Sequence, residues 1–276
     1  MINWRWLNVL VLVVGGMWMN TASGQWIVAH RGASYAAPEN TLASFQLAWD
    51  EGADGVEGDF YLTSDGEIVC IHDKDTKRTA GKKLVVAEST LAELQQLDVG
   101  SWKDPKYAGE RIPTLEQVLA IVPEGKRMVI ELKIGPEIVE PLAKVLAESK
   151  VPREMITIIA FDADTVKACK QTLPDLRTHW LTSYRDQKDG TWKPTLAEVS
   201  ETLAETGADG LGSQCKQAVF DAEFIQALKG QGLKEFHVWT VDDVEIARYY
   251  AKQGALGITT NRPGWLREQL QLTPAK

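Results

Sequence analysis

Eight short apolar runs, each followed by a helical pattern, constrain the fold of this chain more than any other feature. The runs lie at 26–30, 54–62, 128–133, 155–161, 177–181, 209–212, 236–240 and 256–260. Strands that alternate regularly with helices form a parallel sheet, and eight such units are the pattern of a (β/α)8 TIM barrel. Such barrels commonly take about 250 residues, and this chain has 276, of which 44% are hydrophobic. We therefore predict a single α/β barrel domain.

The predicted barrel carries a β-hairpin after its second strand. The motif Thr63-Ser64-Asp65-Gly66 contains Asp-Gly, a strong signal for a two-residue turn, so the run at 68–72 should return antiparallel and stay outside the barrel. The segment from Lys74 to Gly109 is then too long for an ordinary loop, and it contains a short helical pattern at 90–97. We predict that it is a small insertion before the third barrel strand and that it covers the site.

Capping residues predict where several helices begin, because a side-chain oxygen can accept from the free N–H groups of the first turn. We expect helix starts near Asn40, at Thr114 with Gln117, at Thr195 with Glu198, and at Asp162 and Asp242.

The first 24 residues have the pattern of a secretory signal peptide. Arg5 is their one charged residue, and the apolar run from Leu7 to Met19 is followed by the small residues of Thr21-Ala22-Ser23-Gly24. A run of about 13 residues is shorter than the roughly 20 that a membrane-spanning helix needs, so cleavage near Gly24 is favoured over an uncleaved anchor. We expect a mature domain at 25–276, exported to the periplasm or secreted, with no stable membrane span.

Charge and cysteine content exclude two other classes of site. The formal net charge of −8 argues against a nucleic-acid partner bound by neutralisation of its phosphates. The three cysteines, Cys70, Cys169 and Cys215, show no CxxC spacing, so neither a disulfide framework nor a zinc site is indicated. We expect small buried hydrophobes, with at most one disulfide.

Acidic residues are concentrated where two neighbouring predicted strands end. The strand period of two places Glu57 and Asp59 on one face, and it does the same for Glu131 and Lys133. Active sites of such barrels lie at the carboxyl ends of the strands. Charges that face a barrel interior are costly unless they are paired or bind a metal.

Two interpretations of these acids remain open from spacing alone. The three carboxylates offer hard oxygen ligands for Mg²⁺ or Ca²⁺. Alternatively, they form salt bridges to Arg31 and Lys133. Three acids, one dication and these two basic residues would leave one net positive charge, which suits an anionic phosphodiester.

Two histidines lie beside the acids. His30 ends the first strand and His72 follows the returning hairpin strand, so both should reach the same rim and could form a general acid–base pair. His179 and His237 lack such neighbours, and we expect them to be structural.

Two aromatic residues and one further acid are candidates for the surroundings of the site. Phe161 and Trp239 end two other strands, where they could wall a substrate pocket or pack in the core. Glu39 in Pro38-Glu39-Asn40-Thr41 could reach the site, although a loop and helix-cap role is favoured for this tetrad.

In this order, the motifs resemble the glycerophosphodiester phosphodiesterase family over about residues 26 to 268. They are His30-Arg31-Gly32, Pro38-Glu39-Asn40-Thr41, Glu57-x-Asp59, Thr63-Ser64-Asp65-Gly66, His72-Asp73, Glu131-Leu132-Lys133 and Trp239-Thr240. The resemblance implies a TIM-barrel enzyme of lipid and glycerol metabolism that hydrolyses small-molecule glycerophosphodiesters to an alcohol and sn-glycerol 3-phosphate. It also implies one divalent cation, Ca²⁺ or Mg²⁺.

The resemblance also assigns roles by position. It implies His30 and His72 as the catalytic pair, Glu57, Asp59 and Glu131 as metal ligands, Arg31 and Lys133 as phosphate contacts, and Phe161 and Trp239 as pocket-lining aromatics.

Two segments depart from the family pattern. The family usually has Thr-Asp before its last Pro, whereas this chain has Thr260-Asn261-Arg262-Pro263; we expect a changed pocket polarity and an untouched catalytic set. The segment 186–193, with Lys188-Asp189-Gly190-Thr191, matches no family motif and could change the leaving group that is accepted.

Two other functions remain open. A phospholipase D-like or phosphatidylinositol phospholipase C-like barrel would use a related histidine pair on membrane lipid. A catalytically inactive barrel would only bind glycerophosphodiesters, but it would have no need of two acid–base groups.

Overall fold

Eight parallel strands close into a barrel in this computed structural model, which describes residues 25–272. The predicted signal peptide lies outside the described residues. The strands are β1 (Trp26–His30), β2 (Gly55–Leu62), β3 (Ile68–Cys70), β4 (Arg127–Leu132), β5 (Ile156–Ala160), β6 (Arg177–Thr182), β7 (Arg185–Asp186), β8 (Trp192–Lys193), β9 (Gly210–Gln214), β10 (Glu235–Trp239) and β11 (Gly257–Thr260). Around the barrel the order is β1, β2, β4, β5, β6, β9, β10 and β11, and β11 pairs again with β1. The predicted TIM barrel is confirmed.

A helix follows each barrel strand. The α-helices of the described residues are α1 (Leu42–Asp50), α2 (Lys77–Ala80), α3 (Leu91–Leu94), α4 (Leu115–Ala120), α5 (Val139–Glu148), α6 (Ala163–Thr172), α7 (Leu196–Thr206), α8 (Ala222–Gly230), α9 (Val244–Lys252) and α10 (Pro263–Leu270). Short 3-10 turns lie at Val86–Glu88, Pro105–Tyr107, Pro136–Ile138 and Arg153–Met155. No helix in residues 25–272 combines the length and apolar character that a membrane crossing requires.

The capping predictions were confirmed at three positions and wrong at one. Thr114, Thr195 and Asp162 cap α4, α7 and α6 as expected. Asp243, and not Asp242, caps α9. The Asp242 carboxylate accepts hydrogen bonds from the residues that end β11 instead, a long-range contact that local sequence does not encode.

The hairpin after β2 forms as predicted, although its turn is longer. β3 pairs antiparallel with β2, and the backbone N–H of Thr63 donates to Glu67 at 2.9 Å across a three-residue loop. The last residue of that loop, Gly66, has a φ of +88°, which glycine adopts without strain. The turn therefore differs from the predicted two-residue form.

The insertion after the hairpin shares a small apolar cluster with the hairpin itself. The buried side chains of this cluster are Val86, Leu94, Leu97 and Val99 of the insertion, Val69 and Ile71 of the hairpin, and Ile112. The Asp65 carboxylate at the hairpin turn accepts from the Leu91 backbone N–H at 3.0 Å, which connects the turn to α3.

The barrel interior below the carboxyl ends is filled by side chains. Val28, Val129, Ile159 and Leu181 form an apolar layer inside the barrel. All three cysteines lie within the described residues and carry free thiols.

A buried ion pair closes the barrel at its first and last elements. The Arg267 guanidinium on α10 contacts the Asp54 carboxylate, which also accepts from the Ile27 backbone N–H at 2.8 Å. One carboxylate therefore connects β1, the start of β2 and α10.

We predict that Asp54→Asn lowers the free energy of unfolding by about 1.5–3 kcal/mol, because it removes the charge from a buried carboxylate that both the Arg267 guanidinium and the Ile27 backbone N–H contact. Urea unfolding measures the effect. The matched control is Glu245→Gln at the exposed Arg248–Glu245 pair, which should cost less than about 1 kcal/mol. Equal costs for the two variants would contradict the role of the buried pair.

Candidate active site

All nine residues that the sequence singled out come together at the carboxyl ends of the barrel strands. Eight of them line one pocket: His30, Arg31, Glu57, His72, Glu131, Lys133, Phe161 and Trp239. The ninth, Asp59, is fully buried and forms ion pairs with Arg31 and Lys133, both at 3.1 Å. Because β1, β2 and β4 are neighbours in the barrel, residues far apart in the chain meet here.

Three buried carboxylates share the floor of this pocket. Glu57, Asp59 and Glu131 each offer an oxygen, and these oxygens lie within 4.8 Å of one another. Asp59 is directly opposite Glu131 in the β2–β4 register. Lys133 donates to Glu131 at 2.6 Å, so the salt bridges considered from the sequence are formed as well.

Two cationic side chains do not balance three buried carboxylates. Burial, and then the charge of Asp59, raises the pKa of Glu57 to about 8 and that of Glu131 to about 7. Burial also opposes ionisation of Asp59, but Lys133 and Arg31 outweigh it and lower the pKa of Asp59 to about 2. Glu57 Oε1 is buried with no hydrogen-bond partner among the described residues. This set of hard oxygens with a deficit of positive charge fits a divalent cation.

The loop after β1 holds two of these carboxylates through unusual backbone geometry. Arg31 and Asn40 have φ values of +57° and +58°, in the left-handed region that non-glycine residues rarely adopt. The Arg31 backbone N–H donates to Glu57 at 2.9 Å. The Asn40 amide donates to Asp59 at 2.8 Å and accepts from the Asp59 backbone N–H at 3.2 Å.

Asn40 was missed as a site residue. The loop and helix-cap role expected for Pro38-Glu39-Asn40-Thr41 is confirmed by Thr41, which caps α1, but the contact of Asn40 with Asp59 was not expected. One signal was available, since Asn is among the few residues that tolerate the left-handed region.

His30 is held by an amide that a carboxylate orients. Asn261 Nδ2 donates to Asp242 at 2.6 Å, so its Oδ1 faces His30 and accepts from His30 Nδ1 at 2.7 Å. Burial lowers the pKa of His30, and the neutral ring then carries its proton on Nδ1 and a lone pair on Nε2. The departure at Asn261 removes none of the residues expected in the catalytic set, but it lies closer to that set than the sequence suggested, because Asn261 is the hydrogen-bond partner of His30.

His72, which follows β3, is also held through its Nδ1 atom, in this case by a carboxylate. His72 Nδ1 lies 2.8 Å from the Asp73 carboxylate, which also accepts from Arg78 Nε at 2.6 Å. Burial lowers the pKa of His72 as well. The neutral ring therefore also leaves Nε2 free to accept a proton.

Arg78, in the insertion, joins this support to the loop after β1. It donates to both oxygens of Glu39 at 2.8 Å, and Glu39 accepts from Arg31 at 3.1 Å. Glu39 thus supports a site residue and does not cap α1. Nothing in the sequence distinguished Arg78 from the other basic residues of the insertion.

Aromatic side chains form one wall of the pocket. The rings of Phe161 and Trp239 meet edge to face with centroids 5.4 Å apart. His237, expected to be structural, also lines the pocket. The segment 186–193 forms most of the β7–β8 hairpin, and none of its described residues lines the pocket. Its effect on the leaving group stays a prediction.

Comparisons with known proteins lead to one family. The sequence profile of the glycerophosphoryl diester phosphodiesterase family matches residues 30–265. A glycerophosphodiester phosphodiesterase of Caldanaerobacter subterraneus subsp. tengcongensis is 34% identical over 242 residues, covering 86% of this chain and 94% of that protein. One from Bacillus subtilis is 30% identical over 253 residues, covering 86% and 83%.

A solved structure shares the fold. It is an Oleispira antarctica phosphodiesterase in complex with the product sn-glycerol-3-phosphate, with a TM-score of 0.78 and 28% identity, covering 90% of this chain and 97% of that one. The profile match over most of the chain and the two relatives at 30% identity or more lead to one conclusion: this protein belongs to the glycerophosphoryl diester phosphodiesterase family.

Proposed function

We propose that this protein hydrolyses glycerophosphodiesters to an alcohol and sn-glycerol 3-phosphate, with two histidines as the acid–base pair and one divalent cation. Members of its family are phosphoric diester hydrolases. The roles of the two histidines and of the cation are supported by one observation: His30, His72 and three buried carboxylates meet at one pocket.

The proposed substrate is held by positive charge. Glu57, Asp59 and Glu131 would bind Ca²⁺ or Mg²⁺, which would neutralise charge on the phosphodiester oxygens. Arg31 and Lys133 line the same pocket, and their charges favour the non-bridging oxygens of an anionic phosphodiester. Phe161 and Trp239 offer an apolar wall for the rest of the substrate.

The remaining barrier is one of proton transfer. One histidine enters as the neutral ring and takes a proton from the nucleophile at Nε2. The other enters as imidazolium, with a proton on Nε2 taken up from solvent, and donates that proton to the departing alkoxide. Each ring is fixed through Nδ1, by Asn261 or by Asp73, so each presents Nε2 for this exchange.

We also propose that the protein is exported and cleaved near Gly24. The apolar segment and its small-residue end support this. Mass measurement of the protein from the producing cell should give a chain that begins near Gln25. An intact Met1 on a membrane-embedded species would contradict the proposal.

Replacing either histidine should remove catalysis and leave the fold. We predict that His30→Ala and His72→Ala each lower kcat on glycerophosphocholine by at least about 10²-fold, because a proton transfer loses its partner. Glu148→Gln, at an exposed position on α5, is the control and should keep full activity. A folded His72→Ala protein with near-parental turnover would remove the assignment.

Cation binding should stabilise the protein, and more so at higher pH. In the cation-free protein the pKa values of Glu57 and Glu131 are about 8 and about 7, whereas an ordinary glutamate has a pKa of 4.5. The folded state therefore binds these protons more tightly than the unfolded state, and the resulting contribution to stability is lost as pH rises through 7 to 8. Bound Ca²⁺ or Mg²⁺ would compensate the ionised carboxylates. At a fixed cation concentration, equal to about 100 times the Kd at pH 7, we predict a rise in Tm of about 5–10 °C at pH 7 that is smaller at pH 6 and larger at pH 9.

Thermal unfolding in chelator and in added cation checks this prediction. Glu131→Gln should need a much higher cation concentration for the same rise in Tm, whereas Glu148→Gln should behave as the parent. A Tm that is indifferent to cation at every pH would contradict the proposed metal site.

A further inference from the structure

A row of four polar side chains, apart from the carboxylates of the site, runs through the barrel beneath the pocket. Arg177 and Glu235 begin β6 and β10 at the amino-terminal end of the barrel, and Arg177 Nε lies 2.8 Å from Glu235 Oε1. The same oxygen lies 2.7 Å from His179 Nε2, and His179 Nδ1 lies 2.9 Å from His237 Nδ1. Because His237 lines the pocket, a continuous set of polar contacts connects the far end of the barrel to the site.

Glycines on the neighbouring strand β9 leave space for the two histidine rings of this row. A Cβ atom on Gly212 of β9 would lie 2.6 Å from His237 Nε2, and one on Gly210 would lie 2.9 Å from His179 Nε2. The imidazole rings occupy the space that side chains of β9 would otherwise fill, with centroids 5.2 Å apart and planes 23° from parallel. The sequence of β9 therefore keeps the two rings inside the barrel.

The contacts of the two rings leave one nitrogen of His237 without a partner. A carboxylate can only accept, so His179 Nε2 carries the proton toward Glu235. Burial lowers the pKa of His237 well below its usual range. The two Nδ1 atoms share one hydrogen bond, which holds the His237 ring at Nδ1 and leaves its Nε2 unpaired. No residue of 25–272 forms a hydrogen bond with that nitrogen.

We propose that His237 Nε2 forms a hydrogen bond with a hydroxyl group of the substrate's glycerol moiety, and that His179 and Glu235 are positioning residues that hold the His237 ring in place. This inference rests on the proposed function. sn-Glycerol 3-phosphate carries two hydroxyl donors besides its phosphate. Ile159, Leu181 and Trp239 line the same pocket, and a hydroxyl group buried against these side chains would be costly without a hydrogen-bond partner.

Substrates that lack one hydroxyl test the proposal. The kcat/KM of the parent enzyme is measured on glycerophosphocholine and on two analogues, each with one glycerol hydroxyl replaced by hydrogen. We expect a loss of about 10-fold or more for one analogue, because it leaves His237 Nε2 buried without a partner. In His237→Leu, kcat/KM on glycerophosphocholine should fall by a similar factor, mainly through KM, with less than about a twofold further loss on that analogue.

Two further variants separate binding from packing. His237→Gln keeps an acceptor of similar reach and should recover part of the discrimination between substrate and analogue. Glu235→Gln removes the charge that His179 and Arg177 contact, so it loosens the placement of the histidine pair and should lower the discrimination while thermal unfolding shows an intact fold. A purely structural role would leave that ratio unchanged.

The outcomes distinguish the inference from the proposed function. Hydrolysis of glycerophosphocholine with the same discrimination in the parent, His237→Leu and Glu235→Gln would overturn the hydroxyl site alone. If His237→Leu does not fold, an unchanged ratio in Glu235→Gln has the same meaning. Absence of any hydrolysis by the parent in added Ca²⁺ or Mg²⁺ would overturn both.

Discussion

Three carboxylates buried within 4.8 Å of one another are the constraint on which the rest of the site depends. Burial, and then the charge of Asp59, raises the pKa values of Glu57 and Glu131, while Asp59 itself pairs with Arg31 and Lys133. Such a cluster is unfavourable for folding unless protons or a cation compensate it. Its cost to folding indicates a role in binding or catalysis.

The support of the site comes from parts of the chain that are far apart in sequence. The loop after β1 contributes the Arg31 backbone and the Asn40 amide in left-handed conformations. The insertion contributes Arg78, and the end of β11 contributes Asn261. These groups fix residues of the site by hydrogen bonds, and none of them places a further charge among the three carboxylates. Fixed geometry of this kind reduces the reorganisation that a reaction would need.

Strand parity made most of the site predictable. The period of two placed Glu57 with Asp59 and Glu131 with Lys133, and the barrel order brought them together. The supports were not predictable, because they depend on backbone angles and on contacts across the fold. Asn40 was assigned to a helix start and Asp242 to a cap, since local sequence alone suggested those roles. His237 was set aside because its partners, His179 and Glu235, lie on strands whose register the sequence does not give.

A divalent cation that binds at this site, as proposed above, would displace protons from Glu57 and Glu131. Calorimetric titration of the metal-free protein with Ca²⁺ or Mg²⁺ at pH 6, in two buffers of different ionisation enthalpy, counts the protons released. With pKa values of about 8 and 7 for Glu57 and Glu131, binding should release about one to two protons per cation, and fewer as the pH rises to about 9. Binding heats that do not depend on the buffer, or no binding at all, would contradict the claim.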